Sequence, residues 1–111
     1  MTKNKIKIFF NKFNIDYIEN FIERIGKEQI SFKFYPKNYR GTVDVNLVFT
    51  NDPAELTKMI EEYNLNKIII VTERINPEVI IEFLKYTNCI CYLNASSNLI
   101  INKIKFYIFS R

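Results

Sequence analysis

The sequence predicts a single α/β domain over residues 1–111, in which a mixed sheet with a central parallel pair of strands is flanked by helices. Three observations carry that expectation. The run Ile68-Ile69-Ile70-Val71 is an unbroken β-branched segment, the composition of a strand covered on both faces. The helical patterns on either side of it open with Asp52-Pro53 and Asn76-Pro77, a cap that accepts an amide followed by a residue that needs no amide partner in the first turn. The breaks between segments are short, which belongs to one tightly wound unit of a length that supports one core.

Taken in chain order, residues 4–10 admit two readings. Ile6, Ile8 and Phe10 alternate as in a strand, whereas Ile6, Phe9, Phe10 and Phe13 fit a helix running onward. Ile15, Ile18, Phe21, Ile22 and Ile25 recur at helical spacing after Asn14, with Gly26 as the expected stop. Ile30, Phe32 and Phe34 alternate with Ser31, Lys33 and Tyr35, the period of a half-buried strand, which Pro36 ends. The loop Pro36 to Gly41 is too short for a crossover helix, so the strand Thr42 to Thr50 is expected to return antiparallel as a hairpin, excluding a plain receiver or flavodoxin winding. Asn51 or Asp52 caps the next helix, whose buried face is Leu56, Met59, Ile60 and Tyr63. Lys67 to Thr72 supplies the central strand, Asn76 caps a helix packing through Val79, Ile80, Phe83 and Leu84, and Cys89 to Leu93 forms a short strand. After the turn Asn94 to Asn98, the segment Leu99 to Phe109 is read as a last hairpin or edge strand, with a helix as the alternative.

Composition narrows the chemistry. The chain has no histidine and only two glycines, so it offers no glycine-rich phosphate loop, and Ser96 and Ser97 lack a base to activate them. Conventional acyl transfer by a triad is excluded. No apolar stretch approaches the ~20 residues of a membrane span, and Lys7 and Lys12 interrupt what would otherwise resemble a leader, so a cytoplasmic location is expected. Cys89 and Cys91 are expected on opposite faces of a strand, unbridged, as two buried apolar thiols without the further ligands a zinc site needs.

A net charge of +4 and a pI of about 9.1 permit contact with nucleic acid. Lys37, Tyr39 and Arg40 place two cations around an aromatic ring on one loop, a combination that grips phosphate and stacks on a base, and Lys33 lies on the adjoining strand. The plainer reading is a polar turn with Tyr39 folded back on the sheet. Beyond Glu82 the charges are all basic, namely Lys85, Lys103, Lys105 and Arg111. On an edge strand Lys103 and Lys105 would share one face, either as further nucleic-acid contacts or as guards against edge pairing. Aromatic residues crowd both termini, where they pack together or meet a partner.

The order strand, Val71-Thr72 turn, Asn76-Pro77-Glu78 helix start, short strand and Tyr92-Leu93-Asn94-Ala95-Ser96-Ser97-Asn98 turn resembles the N-terminal domain of the AbiEi-type antitoxin and regulator group, over the second half of the chain. Asn94 stands where that group has aspartate, and Ser97 where it has glycine. Some members are similar to the restriction-endonuclease fold, in which a strand carries a carboxylate, one residue and then lysine. The equivalent here is Asp44-Val45-Asn46, which lacks the ammonium, and the acids left nearby are Glu19 and Glu23. The resemblance therefore implies a restriction-endonuclease-like scaffold with no catalytic residues, metal or cofactor. Its expected role is a non-catalytic binding module for nucleic acid or a protein partner in a mobile-element, defence or antitoxin-like setting. Two alternatives stand beside it: a degenerate metal-dependent nuclease using Asp44 with Glu19 or Glu23, and a small structural subunit of a larger, ribonucleoprotein-type assembly. An exposed C-terminal edge strand would offer a route to a homodimer.

Overall fold

The computed structural model describes residues 3–74 and 76–110. The elements are β1 (Asn4–Phe10), α1 (Ile15–Glu28), β2 (Phe32–Tyr35), β3 (Val45–Phe49), α2 (Pro53–Tyr63), β4 (Ile68–Thr72), α3 (Pro77–Phe83), β5 (Ile90–Tyr92) and α4 (Ser97–Phe109). The five strands form one sheet in the order β2-β1-β3-β4-β5, and every neighbouring pair is parallel. The α/β domain with a central parallel pair flanked by helices is thus present. The mixed sheet expected with the restriction-endonuclease-like resemblance is replaced by an all-parallel one.

That correction turns on the connection from β2 to β3, which was expected to be a hairpin. Residues 36–44 instead cross beneath no helix at all and enter β3 parallel to β1. Nine residues can reach at most about 30 Å, more than the height of these strands; here Pro36 to Tyr39 form a turn, with the Tyr39 amide donating to Pro36 O at 3.0 Å, and the remaining residues complete a crossover that usually requires a helix. Its far end is pinned to β1: the Asp44 amide donates to Lys5 O at 2.8 Å, and the Lys5 amide donates to Asp44 Oδ2 at 2.7 Å.

The second correction concerns the C-terminus. Leu99 to Phe109 is helical, capped by the Ser96 hydroxyl, which accepts the Leu99 amide at 3.3 Å. Ile100, Ile101 and Ile104 are buried on the α1 side of the sheet, and a helix, unlike a strand, brings positions i, i+1 and i+4 toward one surface. The edge strand expected of this segment is therefore corrected to a helix. Arg111 lies outside the described residues. Residues 4–10 are a strand, because alternation puts Ile6 and Ile8 in one core and Phe9 in the other. Gly26 does not stop α1, which runs to Glu28 with Gln29 as its cap, and Ile30 is 75% exposed ahead of β2.

Two cores result. Helices α1 and α4 cover one face through Ile18, Phe21, Ile25, Ile100 and Ile104 over Ile6, Leu47, Phe49, Ile69 and Cys91. Helices α2 and α3 cover the other through Leu56, Met59 and Phe83 over Phe9, Val48, Ile68, Ile70 and Ile90. The second cover is incomplete, because the β2–β3 connection brings no helix to the half of that face built by β1 and β2.

Candidate nucleic-acid interface

Strand alternation decides what occupies the uncovered half. Since Phe9 faces the α2 side, Lys5 and Lys7 face it too. Since Phe32 and Phe34 face the α1 side, Lys33 and Tyr35 point the other way. Register sets Lys5 beside Lys33 and Lys7 beside Tyr35. The crossing loop adds Lys37, Tyr39 and Arg40. Segments 3–10 and 31–44 carry six cations against one carboxylate, a local excess of five where the whole chain nets +4. The one carboxylate, Asp44, is engaged with the Lys5 amide.

The cations are interleaved with rings. Tyr35 and Tyr39 stack with centroids 4.0 Å apart at 19°, and Lys33 Nζ sits 5.5 Å over the Tyr35 ring. Phe9 and Tyr63 pair at 5.1 Å, with Lys7 Nζ 5.5 Å from the first ring and Lys37 Nζ 5.8 Å from the second. Gly41 makes the Tyr39 position sterically accessible: a Cβ there would stand 2.1 Å from the Tyr39 hydroxyl. Tyr39 does fold back toward the sheet, as the plainer reading held, and it does so amid Lys33, Lys37 and Arg40. Lys33 and Tyr39 meet through the Tyr35 ring, Lys37 reaches Tyr63, and Arg40 is exposed on the same loop; the strand register adds Lys5, Lys7 and Tyr35. The signal for the added lysines was the alternation Lys5, Lys7, Phe9, legible only once residues 4–10 are a strand.

Lys103 and Lys105 do not join this surface. They lie on α4, which packs beside β5 at the opposite edge of the sheet from β2. Two positions apart on a helix they no longer share a face. Lys103 Nζ donates to Ile90 O at 3.0 Å and approaches Tyr92. Glu19 and Glu23 are exposed on α1, where Glu23 pairs with Lys27 at 3.0 Å. Among the described residues no group of three His, Cys, Asp or Glu side chains is placed to hold a metal ion. Asn46 is buried and donates to Asn66 O.

In a doubly wound sheet, ligands enter between the loops that follow the strands where the order reverses, here β1 and β3. That crevice is filled. Phe13, from the loop after β1, meets Phe49 at the end of β3 with centroids 5.6 Å apart, and Phe21 meets the same ring edge-on at 5.2 Å. Beside it, a polar hollow of about 360 Å³ is lined by Asn51, Thr72, Glu73, Arg74 and Asn76. Its groups satisfy one another: Asn51 Oδ1 accepts from the Thr72 hydroxyl and the Glu73 amide, both at 2.8 Å.

The cysteines correct a sequence expectation. Two positions apart on an extended chain they share a face, and both are free and buried against α4. Cys89 Sγ donates to Lys103 O at 3.9 Å. The neighbouring Cys91 thiol, with the nearby Lys103 charge, lowers the Cys89 pKa, while the Cys89 thiol and burial raise that of Cys91. Arg24 escaped sequence reading altogether. From α1 it donates to Leu93 O at 3.0 Å and Ala95 O at 3.4 Å, fastening the turn after β5.

No protein-family model matches the chain, and no curated protein matches it. Among solved structures, it is similar to a fusion of the yeast Spc42 trimeric coiled coil (amino acids 181–211) to another protein, with a TM-score of 0.69 and 12% identity, covering 97% of this chain and 80% of that one. It is also similar to a response regulator CheY-like protein from Mesorhizobium loti, with a TM-score of 0.62 and 6% identity, covering 96% and 99% of the two chains. At such identities the likeness is one of fold. Among the described residues no helix is long and apolar enough to cross a membrane.

Proposed function

We propose that this chain is a non-catalytic, cytoplasmic binding module that engages nucleic acid across the open half of its sheet. The observation that supports this most is the coincidence of the missing crossover helix with Lys5, Lys7, Lys33, Lys37 and Arg40, interleaved with Tyr35 and Tyr39. Cations that outnumber the acids around them attract phosphate, and rings between them offer stacking area that tolerates any base. A place in a mobile-element, defence or antitoxin-like system belongs to the same proposal and rests on the Tyr92 to Asn98 turn alone. The test is binding of oligonucleotides measured across salt concentration. Each phosphate contact contributes about 0.7 to 0.9 to the slope of log K against log salt, so Lys5→Gln, Lys33→Gln and Arg40→Gln should each weaken binding and flatten the slope by about that amount. Absence of binding at low salt, or slopes indifferent to all three changes, rejects the reading.

A second reading, a subunit of a larger assembly, is favoured by the outer face of α4, where Phe106 is 75% and Phe109 68% exposed. Sedimentation of the wild type against Phe106→Ser with Phe109→Ser tests it. A mass that is monomeric and identical in both at high concentration removes self-assembly.

A further inference from the structure

One cavity adjoins the basic face without belonging to it. It is a groove of about 650 Å³ between α1 and the C-terminal ends of β1 and β2, within the size range of small-ligand sites. Its walls include Phe10, Ile22 and Phe34, which pack on the core yet stay only partly buried. Its rim carries Asn11 and Asn38, both exposed, and Lys37, which also reaches the Tyr63 ring on the basic side. The groove thus pairs apolar walls on the α1 side with two carboxamides, and Lys37 links it around the end of β2 to the basic face.

We propose that this groove takes one unpaired nucleobase from a single strand whose phosphates lie on the basic face, an inference that rests on the nucleic-acid reading above. A nucleobase has flat apolar faces and an edge of donors and acceptors. The walls match the faces, and a carboxamide, being both donor and acceptor, matches the edge. Lys37 stands at the junction, where the backbone beside the inserted base would pass. In a duplex the base faces are stacked and the pairing edge is used, so the partner this site selects is single-stranded.

The experiment compares a short single-stranded oligonucleotide, the same strand with abasic sites, and its duplex, by fluorescence anisotropy on the full chain. Removing the bases should weaken binding by ~10-fold, the scale of losing one stacked base, and the duplex should also bind more weakly. Ile22→Trp, which fills the groove from α1, and Asn38→Ala, on an exposed loop position that leaves the core untouched, should each bring the intact strand down toward the abasic one. Lys5→Gln with Lys33→Gln should weaken intact and abasic strands alike. If intact and abasic strands bind equally, or if neither groove variant changes their ratio while the lysine variants still weaken both, the groove is not a base site and the basic-face reading stands. If no strand binds at low salt, both fall together.

Discussion

Replacing Arg24 should cost more than its place on a half-exposed helix position suggests. The guanidinium joins α1 to the turn after β5 through Nη2 to Leu93 O at 3.0 Å and Nη1 to Ala95 O at 3.4 Å. A hydrogen bond from a charged donor contributes about 1.5–3 kcal/mol, and the longer contact lies beyond the favoured range. Against this stands Nε, which is buried without a partner and costs about 1 kcal/mol. The net loss in Arg24→Met is therefore about 0.5–2 kcal/mol. Methionine keeps an apolar stem near the Phe21 ring, which the guanidinium overlies at 5.7 Å, so packing changes little. For a chain of this length about 4 °C accompanies each kcal/mol, so thermal unfolding followed by circular dichroism should show a fall of about 2–8 °C. Arg24→Lys keeps the charge but has no fork to reach two carbonyls and should lose about half as much. If Arg24→Met unfolds within about 2 °C of the wild type, the turn is held by something else.

Gly41→Ala should displace the Tyr39 ring, since the new Cβ falls 2.1 Å from the hydroxyl and 2.8 Å from Cε2. The stack on Tyr35 would go with it, at about 0.5–1.5 kcal/mol, and unchanged Tyr35 ring resonances in NMR would contradict this. Phe49→Ala empties the centre of the Phe13 and Phe21 cluster and should destabilise the protein by about 3–5 kcal/mol in urea denaturation; a loss under about 1 kcal/mol would show that the cluster collapses without cost. In native protein a thiol reagent should modify Cys89, which borders a cavity beside Lys103, well before Cys91; equal rates would be the contrary result. Because folding raises the Cys91 pKa, the stabilisation from its protonated thiol is fully present below the ordinary thiol value of about 8.5 and is lost as the pH rises beyond it. Midpoints measured between about pH 8 and pH 10 should then fall further in the wild type than in Cys91→Ala, and parallel curves would refute that origin.

Local signals were legible where a residue's effect is confined to its own turn or face. Asp52 and Asn76 cap α2 and α3 as their sequence predicts, each accepting the amide two residues on, because capping needs only neighbouring atoms. The grouping of Lys33, Lys37, Tyr39 and Arg40 was legible for the same reason: one short strand and its loop keep them close whatever the sheet does. Lys5 and Lys7 were hidden by the unsettled state of residues 4–10. Arg24 carried no signal, because its carbonyl partners lie 69 and 71 positions away.

By itself, then, the sequence determined an α/β domain, the buried central strand at Ile68 to Val71, two capped helices and a basic loop, all properties written in spacings of a few residues. Only the tertiary structure decided the direction of β3 and the state of the last segment. Both depend on which surface is free to be covered: a connection of nine residues can close a hairpin or a crossover, and Leu99 to Phe109 can alternate or coil. Burial of Val45, Leu47 and Phe49 beneath α1, and of Ile100 and Ile104 beside it, selects the parallel crossover and the helix. The same choice leaves half of one face without a helix, and there five cations and a pair of stacked tyrosines stand together.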